Sequence, residues 1–401
     1  MRKLGVGIAA LGLAFLACVA DSGGSRTSAS DAATSADTGV VIQSDGSVQD
    51  SSPQDSGVSC EPGKTPCGAA CVDLQTSGDH CNACGHSCGG GTCVAGACKP
   101  VPRVMGQAAH DFAIDGNILV FTAGNFVQSC SVDGPCAGAG LKKLADFTAV
   151  NPGGTGVIAA ASGSFDFAGN TDGNARLYDC PLATGCTTLV SKGTSMAGFP
   201  IIRSVTRSST SYSVYAHNPM TGILGFTCTS GVCGALALAA AKTEAANLLG
   251  LSATKVYYSA TTGGAVYSCP IDSFPCTGTA FMATPALSFA VTGAQRYLRF
   301  TTPQGRSAIG HCPEAGCPGG NNQPSIVWQT IGQIESFTAD EDEIFWAETG
   351  GGGNLIRSCK RGACALPRDL APFAVTPTKM IVTPKSLFWI DTNGDVVSLA
   401  R

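Results

Sequence analysis

The chain has 401 residues, of which 44% are hydrophobic and only 13% are charged, against roughly 25% charged in an average soluble protein. Five Lys or Arg and nine Asp or Glu fall in residues 1–99, and nineteen of each fall in residues 100–401. The long C-terminal part therefore has no basic surplus to neutralise a phosphate backbone, which disfavours nucleic-acid binding.

The first twenty residues predict export. Arg2 and Lys3 precede an uncharged, mostly apolar run from Leu4 to Ala17, which has the length of a signal-peptide core and is short for a membrane span. The ending Phe15-Leu16-Ala17-Cys18 resembles a bacterial lipobox, with Phe15 where leucine is usual. This resemblance implies that Cys18 is acylated and becomes the mature N-terminus. In the alternative, Cys18-Val19-Ala20 is an ordinary secretory cleavage site and Cys18 is discarded.

Residues 21–59 follow the signal segment of residues 1–20 and predict a disordered tether. They contain no aromatic residue and are dominated by Ser, Asp, Thr, Ala and Gly. Such a composition buries too little apolar surface to offset the entropy of ordering the chain. A tether directly after Cys18 suits an acyl anchor, so a lipoprotein is the favoured interpretation and a freely secreted protein the alternative.

Twenty cysteines remain when Cys18 is set aside, and eight of them fall within residues 60–98. The eight are Cys60, Cys67, Cys71, Cys81, Cys84, Cys88, Cys93 and Cys98. An exported segment this small needs covalent staples, which predicts disulfides; eight cysteines allow 105 connectivities, and the spacing selects none. Cys81 and Cys84 also have the spacing of a zinc or redox pair, beside His80 and His86. In an oxidising compartment disulfides are favoured over a metal, and no cofactor is expected.

The motif Cys67-Gly-Ala-Ala-Cys71 and the later stretch Asp79-His80-Cys81-Asn82-Ala83-Cys84-Gly85 resemble the repeat of plant stigma-specific proteins. Similar short cysteine-rich modules occur in exported lipoproteins of the myxobacterial type. The resemblance covers about 40 residues and implies a small extracellular module without catalytic residues.

The other twelve cysteines form six close pairs. They are Cys130/Cys136, Cys180/Cys186, Cys228/Cys233, Cys269/Cys276, Cys312/Cys317 and Cys359/Cys364. First members are 50, 48, 41, 43 and 47 residues apart, a period typical of repeat architectures. The simplest interpretation is six local disulfides, each closing the loop after the third strand of a repeat unit.

The sequence around these cysteines repeats as well. Val127-Gln128-Ser129-Cys130, Val266-Tyr267-Ser268-Cys269 and Ile356-Arg357-Ser358-Cys359 are versions of one phrase. An apolar strand precedes several copies across a glycine-rich turn, which predicts β-hairpins. One such strand, Ile344-Phe345-Trp346-Ala347, is similar to the YWTD-type strand of extracellular propellers.

A seventh copy without cysteines ends the chain at Val396-Val397-Ser398-Leu399 and lacks a fourth strand. Residues 100–108 precede the first full unit and are the candidate for that strand. Residues 99–401 therefore predict an all-β fold, a β-propeller of seven four-stranded blades, with six blades as the alternative. The alanine-rich stretch from Leu236 to Leu251 has helical propensity, but its position predicts an outer strand and a connection.

No motif for catalysis appears, so no catalytic residue and no enzyme is predicted. His110, His217 and His311 stand in no recognisable triad or metal motif. Asp391, Asn393 and Asp395 imitate the start of a calcium loop, but no glutamate follows at its twelfth position, so a hairpin turn is favoured. The run from Asp340 to Glu343 predicts a solvated turn before an apolar strand.

Three hypotheses of function follow. The favoured one is a non-enzymatic, membrane-anchored lipoprotein of the cell envelope, at the outer membrane or cell surface, whose propeller is a binding or scaffolding platform. It is expected to be a monomer that binds an envelope protein, a glycan or a peptide. The alternatives are an envelope adhesion or structural protein that acts through the cysteine-rich module, and a propeller hydrolase or lyase with an axial-channel site.

Overall fold

The computed structural model describes residues 59–148, 157–171, 174–186, 191–196, 201–207, 211–218, 222–229, 232–233, 237–241, 247–252, 254–259, 264–270, 278–318, 322–350 and 353–401. For residues 168–177 and 191–248 the description is limited to the backbone. The predicted signal segment with Cys18 and the predicted tether, apart from Ser59, lie outside the described residues. In the described part of the chain, no helix is long and apolar enough to cross a membrane.

The cysteine-rich module consists of two short hairpins. Strands β1 (Thr65–Cys67) and β2 (Ala70–Val72) form the first, and β3 (Cys93–Val94) and β4 (Ala97–Cys98) form the second. Four disulfides staple the module, and they are Cys60–Cys71, Cys67–Cys84, Cys81–Cys93 and Cys88–Cys98. Because little secondary structure is present here, these crosslinks hold most of the module's fold.

Strand β5 (Val101–Val104) leads into a long series of antiparallel strands. In chain order these are β6 (Ala109–Asp115), β7 (Ile118–Ala123), β8 (Phe126–Ser131), β9 (Lys142–Asp146), β10 (Ile158–Ala161), β11 (Ser164–Thr171), β12 (Asn174–Pro181), β13 (Ser191–Met196), β14 (Ile201–Arg207), β15 (Ser211–Asn218), β16 (Gly222–Thr229), β17 (Val232–Cys233), β18 (Ala237–Ala241), β19 (Asn247–Leu251), β20 (Lys255–Ser259), β21 (Val266–Pro270), β22 (Thr279–Met282), β23 (Ala286–Thr292), β24 (Gln295–Thr301), β25 (Ser307–Pro313), β26 (Ser325–Thr330), β27 (Gln333–Ala339), β28 (Glu343–Thr349), β29 (Leu355–Lys360), β30 (Ala363–Pro372), β31 (Pro377–Val382), β32 (Ser386–Asp391) and β33 (Val396–Ala400).

These strands form seven sheets, which are the blades of a β-propeller. Blades 1 to 6 are β6–β9, β10–β13, β14–β18, β19–β22, β23–β26 and β27–β30, and blade 7 is β31, β32, β33 and β5. The first strands of successive blades contact one another in chain order. Lys379 of β31 then pairs with Asp111 of β6 at 2.5 Å, which joins blade 7 to blade 1. The predicted seven-bladed propeller is confirmed, and six blades is wrong.

Blade 7 takes its outer strand from the segment before blade 1. Strand β5 runs antiparallel to β33, with Val104 opposite Val396 and Val101 opposite Ser398. The adjoining connection is fixed to the same blade, because the Gly106 amide donates to Asp395 Oδ1 at 2.8 Å. The strand predicted within residues 100–108 therefore closes the ring and covers the edge of β33.

The hydrophobic core lies between the faces of neighbouring blades. The second strand of a blade is flanked on both sides, so its apolar residues are buried on both faces, as in β7, β28 and β32. Phe112, Phe121, Phe388 and Ile390 form the core between blades 7 and 1. This arrangement explains why the second-strand sequences are continuous apolar runs instead of alternating ones.

The repeated phrase forms the third strand of each blade. Its serine is buried in four copies, at Ser129, Ser268, Ser358 and Ser398. Disulfides join four of the close pairs, Cys130–Cys136, Cys180–Cys186, Cys312–Cys317 and Cys359–Cys364. Cys269 is disulfide-bonded, Cys228 lies opposite Cys233 in register, and Cys276 is outside the described residues.

The described parts of the alanine-rich stretch, residues 237–241 and 247–251, are strands. Strand β18 pairs with β16 as the outer strand of blade 3, and β19 begins blade 4. Sheet pairing therefore overrides the helical propensity of alanine here.

Candidate functional site

The disulfides mark one face of the propeller. Loops that join the first strand to the second, and the third to the fourth, emerge at this face; examples are residues 116–117, 132–141, 340–342 and 361–362. We call it the disulfide face. The opposite face carries the remaining connections, such as residues 124–125, 302–306, 331–332 and 392–395.

The cysteine-rich module docks on the disulfide face at blades 6 and 7. Both ring nitrogens of His86 lie 2.5 Å from backbone oxygens, Nδ1 from that of Cys81 and Nε2 from that of Arg401. A cavity of about 180 Å³ lies beside this contact and is lined by residues of both parts.

A buried arginine also holds the module. Arg103 is 5% exposed, and its Nε donates to Ser398 Oγ at 2.7 Å while Nη2 donates to the Gly89 carbonyl at 2.5 Å. The module's inner disulfides continue the core between blades 6 and 7, where Cys81 and Cys98 belong to one cluster with Phe345 and Leu387. The module and the propeller therefore share a hydrophobic core.

The acidic turn before β28 is partly neutralised. Asp340 and Glu343 both pair with Arg401, and Glu343 also pairs with Arg368 at 3.5 Å. Asp340 Oδ1 accepts the amides of Asp342 and Glu343, and these bonds lower the pKa of Asp340 against the opposing effect of burial. In the predicted solvated turn, Asp340 and Glu343 therefore form ion pairs, and Glu341 and Asp342 are exposed to solvent.

A pocket of about 480 Å³ opens at the disulfide face between blades 5 and 6, and we call it the blade 5–6 pocket. Its lining residues are Gln295, Tyr297, His311, Ile326, Val327, Ile344, Arg361, Gly362, Cys364 and Ala365. Blade 5 contributes a polar patch, since Tyr297 and His311 lie opposite each other across β24 and β25. Blade 6 contributes Ile344 and the turn that the Cys359–Cys364 disulfide clips.

Two buried polar atoms of this pocket's side chains have no hydrogen-bond partner, Oε1 of Gln295 and Nδ1 of His311. Leaving such a group unpaired costs about 1–3 kcal/mol. Each unpaired buried polar group needs an explanation, and two of them beside one pocket make this pocket the candidate binding site.

Arg361 supplies positive charge at the pocket. Its guanidinium lies 5.7 Å from the centre of the Tyr297 ring, and its Nη1 donates to the Glu341 carbonyl at 2.7 Å. Burial lowers the pKa of His311, and the nearby Arg361 charge lowers it further. Burial raises the pKa of the Tyr297 hydroxyl, which Arg361 partly offsets. At neutral pH the pocket therefore carries a cation, a neutral imidazole and a neutral phenol.

Aliphatic side chains are exposed at the outer side of the pocket. Ile326 is 52% exposed, and Leu366, which follows the lining residue Ala365, is 90% exposed. Large aliphatic side chains exposed beside a pocket are typical of surfaces that contact a partner.

The same two blades hold a buried carboxylate that is fully engaged. Glu348 is 6% exposed and accepts from Trp328 Nε1 at 3.1 Å, Trp346 Nε1 at 3.0 Å and Thr330 Oγ1 at 2.7 Å. It also pairs with Arg357 at 3.2 Å. Burial alone raises the pKa of Glu348, but these donors and Arg357 outweigh it and lower the pKa. This geometry suits a structural tie between blades.

The other candidate metal ligands and histidines from the sequence do not line the blade 5–6 pocket. Among the described residues, the sulfurs of Cys81, Cys88 and Cys98 come within 4.8 Å of one another, but all three are in disulfides and so offer no thiolate to a metal. His80 Nδ1 accepts the Gly85 amide at 2.9 Å. His110 is exposed on β6, and the side chain of His217 lies outside the described residues.

The candidate calcium loop is a turn. Asp391 Oδ1 accepts the amides of Asn393 and Asp395, at 2.9 and 3.0 Å. Asp395 in turn binds the Gly106 amide. Both carboxylates therefore fold the turn and anchor the closing segment.

No family model matches the chain, and no curated protein matches it. Solved structures share the fold. YCF48 bound to a D1 peptide matches with a TM-score of 0.52 and 10% identity, over 76% of this chain and 96% of YCF48. PorZ, of the type-IX secretion system of Porphyromonas gingivalis, matches with a TM-score of 0.50 and 10% identity, over 75% of this chain. The match spans only 38% of PorZ. These likenesses show a β-propeller fold.

Proposed function

We propose that the protein is a non-enzymatic binding platform of the cell envelope that presents its disulfide face to a protein partner. The blade 5–6 pocket carries this proposal, because it combines unpaired polar groups and an arginine with exposed aliphatic side chains. Four disulfides in the described parts of blades 1, 2, 5 and 6 restrain the loops of the same face. Restrained loops lose less entropy when a partner binds.

An extracytoplasmic location follows from the disulfides, since such bonds persist in oxidising compartments. Acylation of Cys18 and attachment to the outer membrane or cell surface are the finer parts of the proposal. Their support is the lipobox-like ending and the composition of residues 21–59. A tether of that length lets the propeller reach partners away from the membrane surface.

Two structural neighbours support a binding role by analogy of fold. YCF48 was solved with a bound peptide, and PorZ is a bacterial surface component. The module's shared core with blades 6 and 7 favours a platform of which the module is one part, over a separate adhesive module.

The experiment compares two matched variants of the full-length protein. Leu366→Glu places a charge on the outer strand of blade 6, beside the blade 5–6 pocket, and Ile331→Glu places one in a turn of the opposite face at a residue that is 76% exposed. Immobilised wild type and each variant are exposed to an envelope extract, and retained proteins are quantified. We expect Leu366→Glu to lose a component that Ile331→Glu retains. Equal retention by both variants would contradict use of the disulfide face.

A further inference from the structure

We infer that the blade 5–6 pocket binds a peptide segment of its partner in which a carboxylate side chain stands next to an aliphatic residue. This inference rests on the proposed function and specifies the chemistry of its site. Three observations carry it: the charge of Arg361, the unpaired polar atoms of Gln295 and His311, and the aliphatic walls.

Arg361 is the group that selects a carboxylate. No ion pair to Arg361 exists among the described residues, although its Nη1 donates to the Glu341 carbonyl. Of the nearby turn carboxylates, Asp340 and Glu343 are paired with Arg401, and Glu341 and Asp342 are exposed to solvent. The planar guanidinium keeps donors for a carboxylate, which it binds in a bidentate manner.

Gln295 and His311 suit the backbone of a peptide. Oε1 of Gln295 can accept a peptide N–H, and Nδ1 of a neutral imidazole can accept or donate according to tautomer. Both atoms are buried, so a ligand in the pocket reaches them only when the Gln295 amide or the His311 ring rotates about its terminal torsion. Each residue of a peptide other than proline carries one backbone N–H donor and one C=O acceptor, which are the groups that these two side chains can bind.

The walls favour a peptide over an acidic glycan. Ile326 and Val327 are aliphatic and accessible, and they match the side chain of Leu, Ile or Val. The aromatic residue of the pocket, Tyr297, is only 3% exposed, so it offers no free ring face on which a sugar could stack. Outside the pocket, Leu366 extends the aliphatic surface that a protein partner would cover.

The test uses capped hexapeptides with one central Asp or Glu between Leu, Ile or Val residues, and the same peptides with Asn or Gln. Binding to the full-length protein is measured by fluorescence anisotropy. We expect acidic peptides to bind and their amide counterparts to bind at least about tenfold more weakly, as for loss of a charge-assisted hydrogen bond. Equal binding of both sets, or binding of neither, would overturn the inference.

Variants identify the site. Arg361→Gln should weaken the acidic peptides at least about tenfold, whereas Arg361→Lys, which keeps the charge, should weaken them less. Arg306→Gln is the matched control, because Arg306 is exposed in a turn of the opposite face, and it should leave binding unchanged. Unchanged binding in Arg361→Gln would overturn the inference, as would tighter binding of trigalacturonate than of any peptide. If the peptides fail while Leu366→Glu still abolishes capture from envelope extract, the platform stands and only the ligand chemistry is wrong.

Discussion

Gly394 is the residue whose substitution tests ring closure most sharply. It lies in the turn between β32 and β33 with φ at +78°, and its carbonyl accepts the Ala109 amide of blade 1 at 3.0 Å. A Cβ at this position would lie 2.6 Å from both the nitrogen and the oxygen of Ala109. Because these are backbone atoms, Gly394→Ala must displace the start of β6 or the turn itself.

Gly124 provides a matched control. It lies in the corresponding turn of blade 1 with φ at +54°, and a Cβ there meets no heavy atom within 4 Å. Gly124→Ala should therefore cost only the left-handed backbone penalty, about 1–2 kcal/mol. Gly394→Ala should cost the same penalty and about 1–3 kcal/mol more for the clash. Loss of the Ala109 hydrogen bond adds roughly 1 kcal/mol.

The assay is guanidinium unfolding of the full-length protein with disulfides intact, followed by tryptophan fluorescence. We expect Gly394→Ala to lower the free energy of unfolding by at least about 2 kcal/mol more than Gly124→Ala. Equal losses in the two variants would mean that the contact between blades 7 and 1 contributes nothing measurable to stability, contrary to this expectation.

Three further predictions concern the blade interfaces, the module and the disulfides. The lowered pKa of Glu348 gives stability that is present above its ordinary pKa of 4.5 and is lost as pH falls through the folded-state value. In Glu348→Gln, the free energy of unfolding measured with urea should therefore fall less as the pH is lowered than in wild type. An unchanged pH profile would contradict this. Arg103→Met keeps bulk but removes the bonds to Ser398 and Gly89, so limited proteolysis should cut the module faster than in wild type; an equal rate would contradict the anchoring role. Replacing Cys312 and Cys317 together with serine should cost about 2 kcal/mol while calorimetric unfolding stays cooperative; loss of cooperativity would show a larger role.

The repeat could be predicted because each blade uses the same local chemistry. The cysteine of the phrase, as at Cys359, occupies the same place in the third strand of six blades, and the serine at the preceding place, as at Ser358, recurs in four third strands. The closing strand was also predictable, since the seventh copy ends without its fourth strand and residues 100–108 have no other sheet to join. The spacing of the repeated phrase and the number of strands in each unit are enough to reveal both features.

Contacts between blades were not predictable in the same way. Lys379 and Asp111 are 268 residues apart, and only ring closure brings them together. Pairing between first and second strands shifts register in most blades, for example between Ala109 and Asp111 and between Ile334 and Ser336. Such irregularities leave no sequence period, and they decide which side chains face the neighbouring blade.

The blade 5–6 pocket could not be predicted for a related reason. His311 stands outside any motif, and so do the other polar residues of the pocket: Gln295 on the neighbouring strand β24, and Arg361 in a turn of the next blade. Arg103 shows the same limit: it occupies an extra position of β5, opposite the Val396–Val397 step, where blade 1 has Leu144. Nothing in the spacing marks it as the residue that holds the module.

Photo-crosslinking in the cells that produce the protein shows which face of the propeller contacts a partner. A photoreactive phenylalanine analogue is placed at Leu366, beside the blade 5–6 pocket of the disulfide face, or at Ile331 on the opposite face, both highly exposed. We expect a discrete protein adduct from position 366 and none from position 331. An adduct from position 331 alone, or from neither position, would contradict a binding platform that uses the disulfide face.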